Sequence, residues 1–82
     1  MNSDKLYTPE SIEAVMTLLE SNPTIVQDDE FMDTILDMLT VQPYDFTITQ
    51  LRQIRNVANL YNMYTVEDEA SLVLQEVYGL ND

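Results

Sequence analysis

The sequence predicts an all-α fold: a compact bundle of about four short antiparallel helices, read as one domain over residues 1–82. Three observations predict it. Four segments place their apolar residues on one side of a 3.6-residue period. Each of the four opens on a residue type that caps helices. One Gly and three Pro in 82 residues are too few turn-formers for a dense β fold, and period-two alternation appears only in the short run Phe46-Thr47-Ile48-Thr49. A hydrophobic fraction of 45% with five tyrosines is more than a disordered acidic tail carries.

The first helix is expected over 9–21. Thr8 is the N-cap, Pro9 suits the first helical position, and Glu10 favours the positive end of the helix dipole. Ile12, Val15, Met16, Leu18 and Leu19 share one arc, and Asn22-Pro23 stops the helix. The second is expected over 29–41. Asp28 caps it, Asp29 and Glu30 fill its first turn, and Phe31, Met32, Ile35, Leu36, Met38 and Leu39 form its apolar face. Gln42-Pro43 ends it. These two helices read as weak repeats at a twenty-residue offset, with Leu19 over Leu39 and Pro23 over Pro43.

The third helix is expected over 48–64, opened by Thr47 and Gln50 at capping-box spacing. Its apolar residues Leu51, Ile54, Val57, Ala58, Leu60, Tyr61 and Tyr64 span about half the circumference, so it reads as a central helix or one that meets a second copy. The fourth is expected over 66–78, opening at Thr65 with Asp68 three residues on. It packs Val66, Ala70, Val73, Leu74, Val77 and Tyr78, and Gly79 and Leu80 are placed for a Schellman stop.

Charge is the most uneven feature. The chain has fifteen acidic and three basic residues, a net charge of −12. Both arginines, Arg52 and Arg55, fall in Phe46–Val66, a window with no Asp or Glu, while the remainder holds all fifteen acids against Lys5 alone. Such a field repels nucleic acid and anionic lipid, which are bound by neutralising phosphates with Lys or Arg. Direct nucleic-acid or membrane binding is therefore not expected, and basic protein surfaces are the favoured partners.

The acids form rows. Glu30, Asp33 and Asp37 lie opposite the apolar arc of the second helix. Asp68, Glu69 and Glu76 do the same on the fourth, around Leu72, its one leucine off the apolar face; Glu13 and Glu20 add to the first. Like charges at this spacing mildly destabilise a helix, so local stability does not explain them. Acids on solvent faces also keep small proteins soluble, yet ordinary soluble surfaces mix both signs. Neighbouring carboxylates about 5–6 Å apart at Cβ come near the spacing of phosphates on a strand. A nucleic-acid-binding protein could accept such a surface through its own Lys and Arg.

On the third helix Arg52, Arg55, Asn56, Asn59 and Asn62 form a polar stripe without acids. It either meets carboxylates of neighbouring helices or serves as a docking face, including for a homodimer. Both arginines sit in the first half of the helix, where the dipole disfavours positive charge, so a tertiary or intermolecular reason is favoured.

Much chemistry is excluded. Without His or Cys there is no thiol nucleophile, no imidazole base and no disulfide. Asp28-Asp29-Glu30 lacks the alternating ligands, central Gly and final Glu of a calcium loop. No phosphate-binding glycine loop is present. Met16, Met32, Met38 and Met63 fall on or beside apolar arcs and are read as core filling rather than a Met-rich groove. An acyl-carrier role needs an Asp-Ser-Leu motif opening the second helix, whereas Ser71-Leu72 follows Ala70 in mid-helix. No cofactor is expected. The N-terminal stretch lacks the basic and apolar regions of a secretory signal, which favours the cytoplasm.

The sequence therefore predicts a non-catalytic regulator or inhibitor that engages a basic protein surface through Glu30, Asp33, Asp37, Asp68, Glu69, Leu72 and Glu76, with nucleic-acid mimicry as one form of it. Phages and small mobile elements encode inhibitors of this kind, which is an association only. The alternative is a self-associating assembly module using the third helix through Arg52, Arg55, Asn59 and Asn62.

Overall fold

In the computed structural model, which describes residues 7–81, the chain begins its first helix where Thr8 can cap it. The Thr8 hydroxyl accepts from the Ser11 N–H at 3.1 Å, and α1 runs Pro9–Ser21. The residue before a proline is pushed out of helical space; Asn22 accordingly adopts φ −142° and the chain turns into a 3₁₀ segment, Pro23–Gln27. Asp28 then accepts from the Phe31 N–H at 3.1 Å and opens α2, Asp29–Val41. Gln42, before Pro43, repeats the break at φ −136°, and a second 3₁₀ turn spans Pro43–Asp45. Lys5 and the stretch Met1–Leu6 lie outside the described residues.

The twenty-residue offset is thus a conformational repeat. Thr8 and Asp28 cap, two 13-residue helices follow, and Pro23 and Pro43 each open a 3₁₀ turn. Each turn presents a buried apolar residue, Val26 in the first unit and Phe46 in the second, both 1% exposed. Helical periodicity gives no sign of either residue in the core, because both lie between helices.

Thr47 and Gln50 make the reciprocal capping box, with N···O distances of 3.1 and 2.9 Å, and open α3, Ile48–Leu60. Here the structure corrects the expected boundary. The helix stops four residues before Tyr64 because Asn62 takes the left-handed conformation at φ 62°. Asn tolerates that region better than other non-glycine residues. The Met63 N–H donates to the Ala58 carbonyl at 2.7 Å and the Asn62 N–H to that of Asn59 at 3.2 Å, the paired bonds of a Schellman stop. The chain re-enters helix at once, so α4 runs Tyr64–Tyr78 from Met63, which supplies no side-chain cap. Thr65 is inside the helix rather than its cap. At the far end Gly79, φ 68°, donates to the Gln75 carbonyl at 2.9 Å and the Leu80 N–H to the Leu74 carbonyl at 3.1 Å, so the expected left-handed stop closes through two backbone bonds, with Leu80 returning to Leu74.

The result is an all-α compact bundle in a single domain, with four short helices and no sheet among the described residues. α3 packs most extensively on α4; α1 reaches α3, and α2 reaches α4. The first 3₁₀ segment is wedged among α1, α2 and α3, and the second rests on α2 and α4. α3 is therefore a central helix as expected, but α4 shares that place. The principal extents of 38 × 28 × 18 Å describe a slab, only about two helices of ~10 Å diameter thick. Each helix consequently keeps a solvent face.

The core comprises the expected arcs with trimmed edges. Leu19, Ile35, Leu51, Ala58, Ala70 and Leu74 are fully buried, and Met16, Met32 and Met38 fill it as anticipated, with Met63 half-buried against it. Leu18, Leu60, Tyr64 and Tyr78 were assigned to apolar arcs but are exposed. For Leu60 and Tyr64 the reason is the early stop at Asn62, which ends the arc they would have extended.

Candidate protein-binding surface

The phase of α2 is set by Asp28 at its start and by burial of Met32, Ile35, Met38 and Leu39. Glu30, Asp33 and Asp37 must then face outward, and all three are exposed. On α4, burial of Val66, Ala70, Val73 and Leu74 turns Asp68, Leu72 and Glu76 to solvent, with Glu69 half-buried at the flank. Leu72 is 44% exposed among these acids. Because α2 packs on α4, the two acidic rows belong to adjoining helices.

Asp37 is hydrogen-bonded into the body of the protein. It accepts from the Tyr7 hydroxyl at 2.5 Å. That bond favours the protonated phenol and raises Tyr7 above its ordinary pKa of 10.0; burial and the carboxylate charge act in the same direction. Tyr7 is also held by Gln42, the one buried polar side chain among the described residues. The Gln42 amide accepts from the Tyr7 N–H and donates to the Tyr7 carbonyl at 3.0 Å and to the Asp45 carboxylate at 2.6 Å. Gln42 read in the sequence only as a pre-proline residue; nothing there announced a side chain that straps the N-terminal segment across the end of α2.

The Arg/Asn stripe is divided by the fold. Arg52 is exposed, while Arg55 is half-buried and its Nη1 is sealed from solvent. The Asn59 amide donates to the Glu67 carboxylate of α4 at 2.9 Å, so this residue ties the two central helices together. Asn62 makes the turn, and its side-chain oxygen accepts from the Tyr64 hydroxyl at 2.8 Å.

Two clefts indent the slab. One, about 360 Å³, lies between the start of α1 and the start of α3, with Glu10, Glu13 and Asp45 among its walls and Pro9 and Ile12 on one side. The other, about 310 Å³, lies between α2 and the α3–α4 turn. Asp29, Met32 and Leu36 form one wall, and Met63, Tyr64 and Val66 the other. The helix-by-helix reading missed it because it depends on the turn at Asn62.

Among the described residues no group of three or more acidic side chains is arranged to hold a metal ion, and no helix is long and apolar enough to cross a membrane. No protein-family model, curated protein or solved structure matches this chain.

Proposed function

We propose that this protein is a non-catalytic binding protein whose acidic face, formed by α2 and α4, engages a basic protein surface and thereby inhibits or modulates it. The observation that carries the reading is the pair of carboxylate rows on adjoining helices: Glu30, Asp33 and Asp37 on α2, and Asp68 and Glu76 on α4, face outward, with Glu69 half-buried at the flank. Internal neutralisation is bounded by count: with three basic residues against fifteen acids, twelve carboxylates stay uncompensated even if every cation is paired. Such a face accelerates encounter with cationic partners and repels anionic ones. A protein that ordinarily binds nucleic acid is the best-matched target, because its groove already presents Lys and Arg to a spaced row of anions.

The test is binding to basic proteins at low and high salt, with and without the double substitution Asp33→Lys and Asp37→Lys. Binding that weakens with salt and falls at least about tenfold in the double variant supports the reading, since losing a few charge contacts of ~1 kcal/mol or more amounts to that. Binding indifferent to both salt and charge reversal would sink it.

The second reading, self-association through α3, draws on the exposure of Arg52 and of Leu60, which is 70% exposed beside the stripe. Light scattering behind size exclusion decides it: a mass of one chain at every concentration rules it out, and Arg52→Glu should dissociate any dimer that forms.

A further inference from the structure

The cleft between α2 and the α3–α4 turn adjoins both acidic rows. At 100° per residue, Asp29, Met32 and Leu36 share an arc of about 60° on α2 that borders the arc of Glu30, Asp33 and Asp37. On α4, Thr65 at the cleft mouth begins the line that continues through Asp68, Leu72 and Glu76 at helical spacing. The cleft therefore lies between the two helices that carry the rows, towards their N-terminal ends, with Asp29 as the acid in its lining. Its floor is apolar and adaptable, with two methionine thioethers, Met32 and Met63, beside Leu36 and Val66. Tyr64, 58% exposed, stands at its edge.

We infer that this cleft is the anchor socket of the acidic surface, and that it takes one bulky apolar side chain from a basic segment of the partner. This rests on the acidic-surface reading above and adds the anchor that a purely electrostatic contact lacks. Charge selects the occupant. Neither α2 nor α4 contains a Lys or Arg, so every charged group these two helices offer near the cleft is a carboxylate, with Asp29 in its wall. A segment with Lys or Arg on either side of the anchor is matched; an acidic segment, or a second copy of this chain at net charge −12, is opposed. Binding energy in protein interfaces concentrates in such central apolar anchors, with charged rims governing rate and selectivity.

The protein has no Trp, so a partner tryptophan reports its own environment. The probe is a short peptide with one Trp flanked by lysines and arginines, compared with the same peptide carrying Ala in place of Trp. The expected result is a blue shift of Trp emission on binding and affinity at least about tenfold above that of the Ala peptide. Leu36→Gln should remove the shift and the difference while retaining salt-dependent binding of both peptides. Methyl NMR of the unsubstituted protein, with Met32 and Met63 shifting selectively in the Trp complex, gives the same answer without a variant. Equal affinity for the two peptides, with Trp emission unshifted, overturns the socket and leaves the acidic-surface reading standing. Binding of neither peptide at low salt overturns both.

Discussion

The first half of the molecule, Thr8 to Phe46, stops its helices with proline and then uses the stop. The second half, Thr47 to Leu80, stops them with residues in the left-handed region and uses the turn only to reverse direction. In the first half α1 and α2 do not pack extensively on one another; a 3₁₀ segment lies between them and contributes its own core residue. In the second half α3 and α4 pack directly, and the small buried residues Ala58 and Ala70 suit a close approach. A proline break thus serves as packing material when the residue three positions after it is apolar, as Val26 and Phe46 are. One half depends on wedges, the other on helix-to-helix contact.

The sharpest way to break that contrast is to remove a wedge. Phe46, at 1% exposure, receives a hydrogen bond on its carbonyl from the Tyr78 hydroxyl at the end of α4, so it locks the second unit onto the hairpin. Phe46→Ala should cost about 3–5 kcal/mol, read as a fall in the urea midpoint with unchanged slope. A cost below about 1 kcal/mol would mean that the 3₁₀ turns are not part of the core.

Asn22 and Gln42 occupy the same place in the two units, yet Asn22 is exposed and Gln42 is 7% exposed. Gln42→Ala should therefore cost about 1–3 kcal/mol, because the Tyr7 backbone and Asp45 lose a buried partner. Asn22→Ala, which loses only the surface bond from Thr24, should stay within about 0.5 kcal/mol. Equal effects in chemical denaturation would show that the buried amide adds nothing beyond the pre-proline bend.

The second half predicts a smaller matched pair. A Cβ at Gly79 would meet nothing within 4 Å, so Gly79→Ala is penalised by its positive φ alone, about 1 kcal/mol. Asn62→Ala should cost a similar amount, since it exchanges a residue tolerant of that conformation for one that is not. If Asn62→Ala proves neutral while Gly79→Ala does not, the Schellman turn is not what holds the end of α3.

These comparisons also explain what the sequence disclosed. Side-chain caps at Thr8, Asp28 and Thr47, and the stops before Pro23 and Pro43, are local events written in adjacent residues, so α1, α2 and the start of α3 were legible to the residue. The left-handed turn at Asn62 was not, because Asn is common in helices and only the tertiary return of α4 selects the minor conformation. That one turn carries the error in the end of α3, in the start of α4, and in the burial expected for Leu60 and Tyr64. The outward placement of Glu30, Asp33, Asp37, Asp68, Leu72 and Glu76 followed from periodicity. The cleft beside them did not, because its walls come from two helices whose juxtaposition no single-helix projection contains.

The last and smallest effect concerns the strap over the second unit. Tyr7 donates its hydroxyl proton to Asp37, and this bond, with burial and the adjacent charge, holds the phenol above 10.0. A tyrosine whose folded pKa is raised contributes stability that is fully present below the unfolded value, and loses it as the pH rises through the folded value. The stability difference between the native protein and Tyr7→Phe should accordingly be constant from neutral pH to about pH 10 and shrink above it. Asp37→Asn should bring the Tyr7 titration, followed as the ultraviolet difference between the protein and its Tyr7→Phe variant, back down toward the ordinary value. If that titration stays in place after Asp37→Asn, the carboxylate is not what raises it. The Gln42 amide, rather than the Asp37 carboxylate, would then be the strap on the N-terminal segment, and Asp37 would be as available to a partner as Asp33.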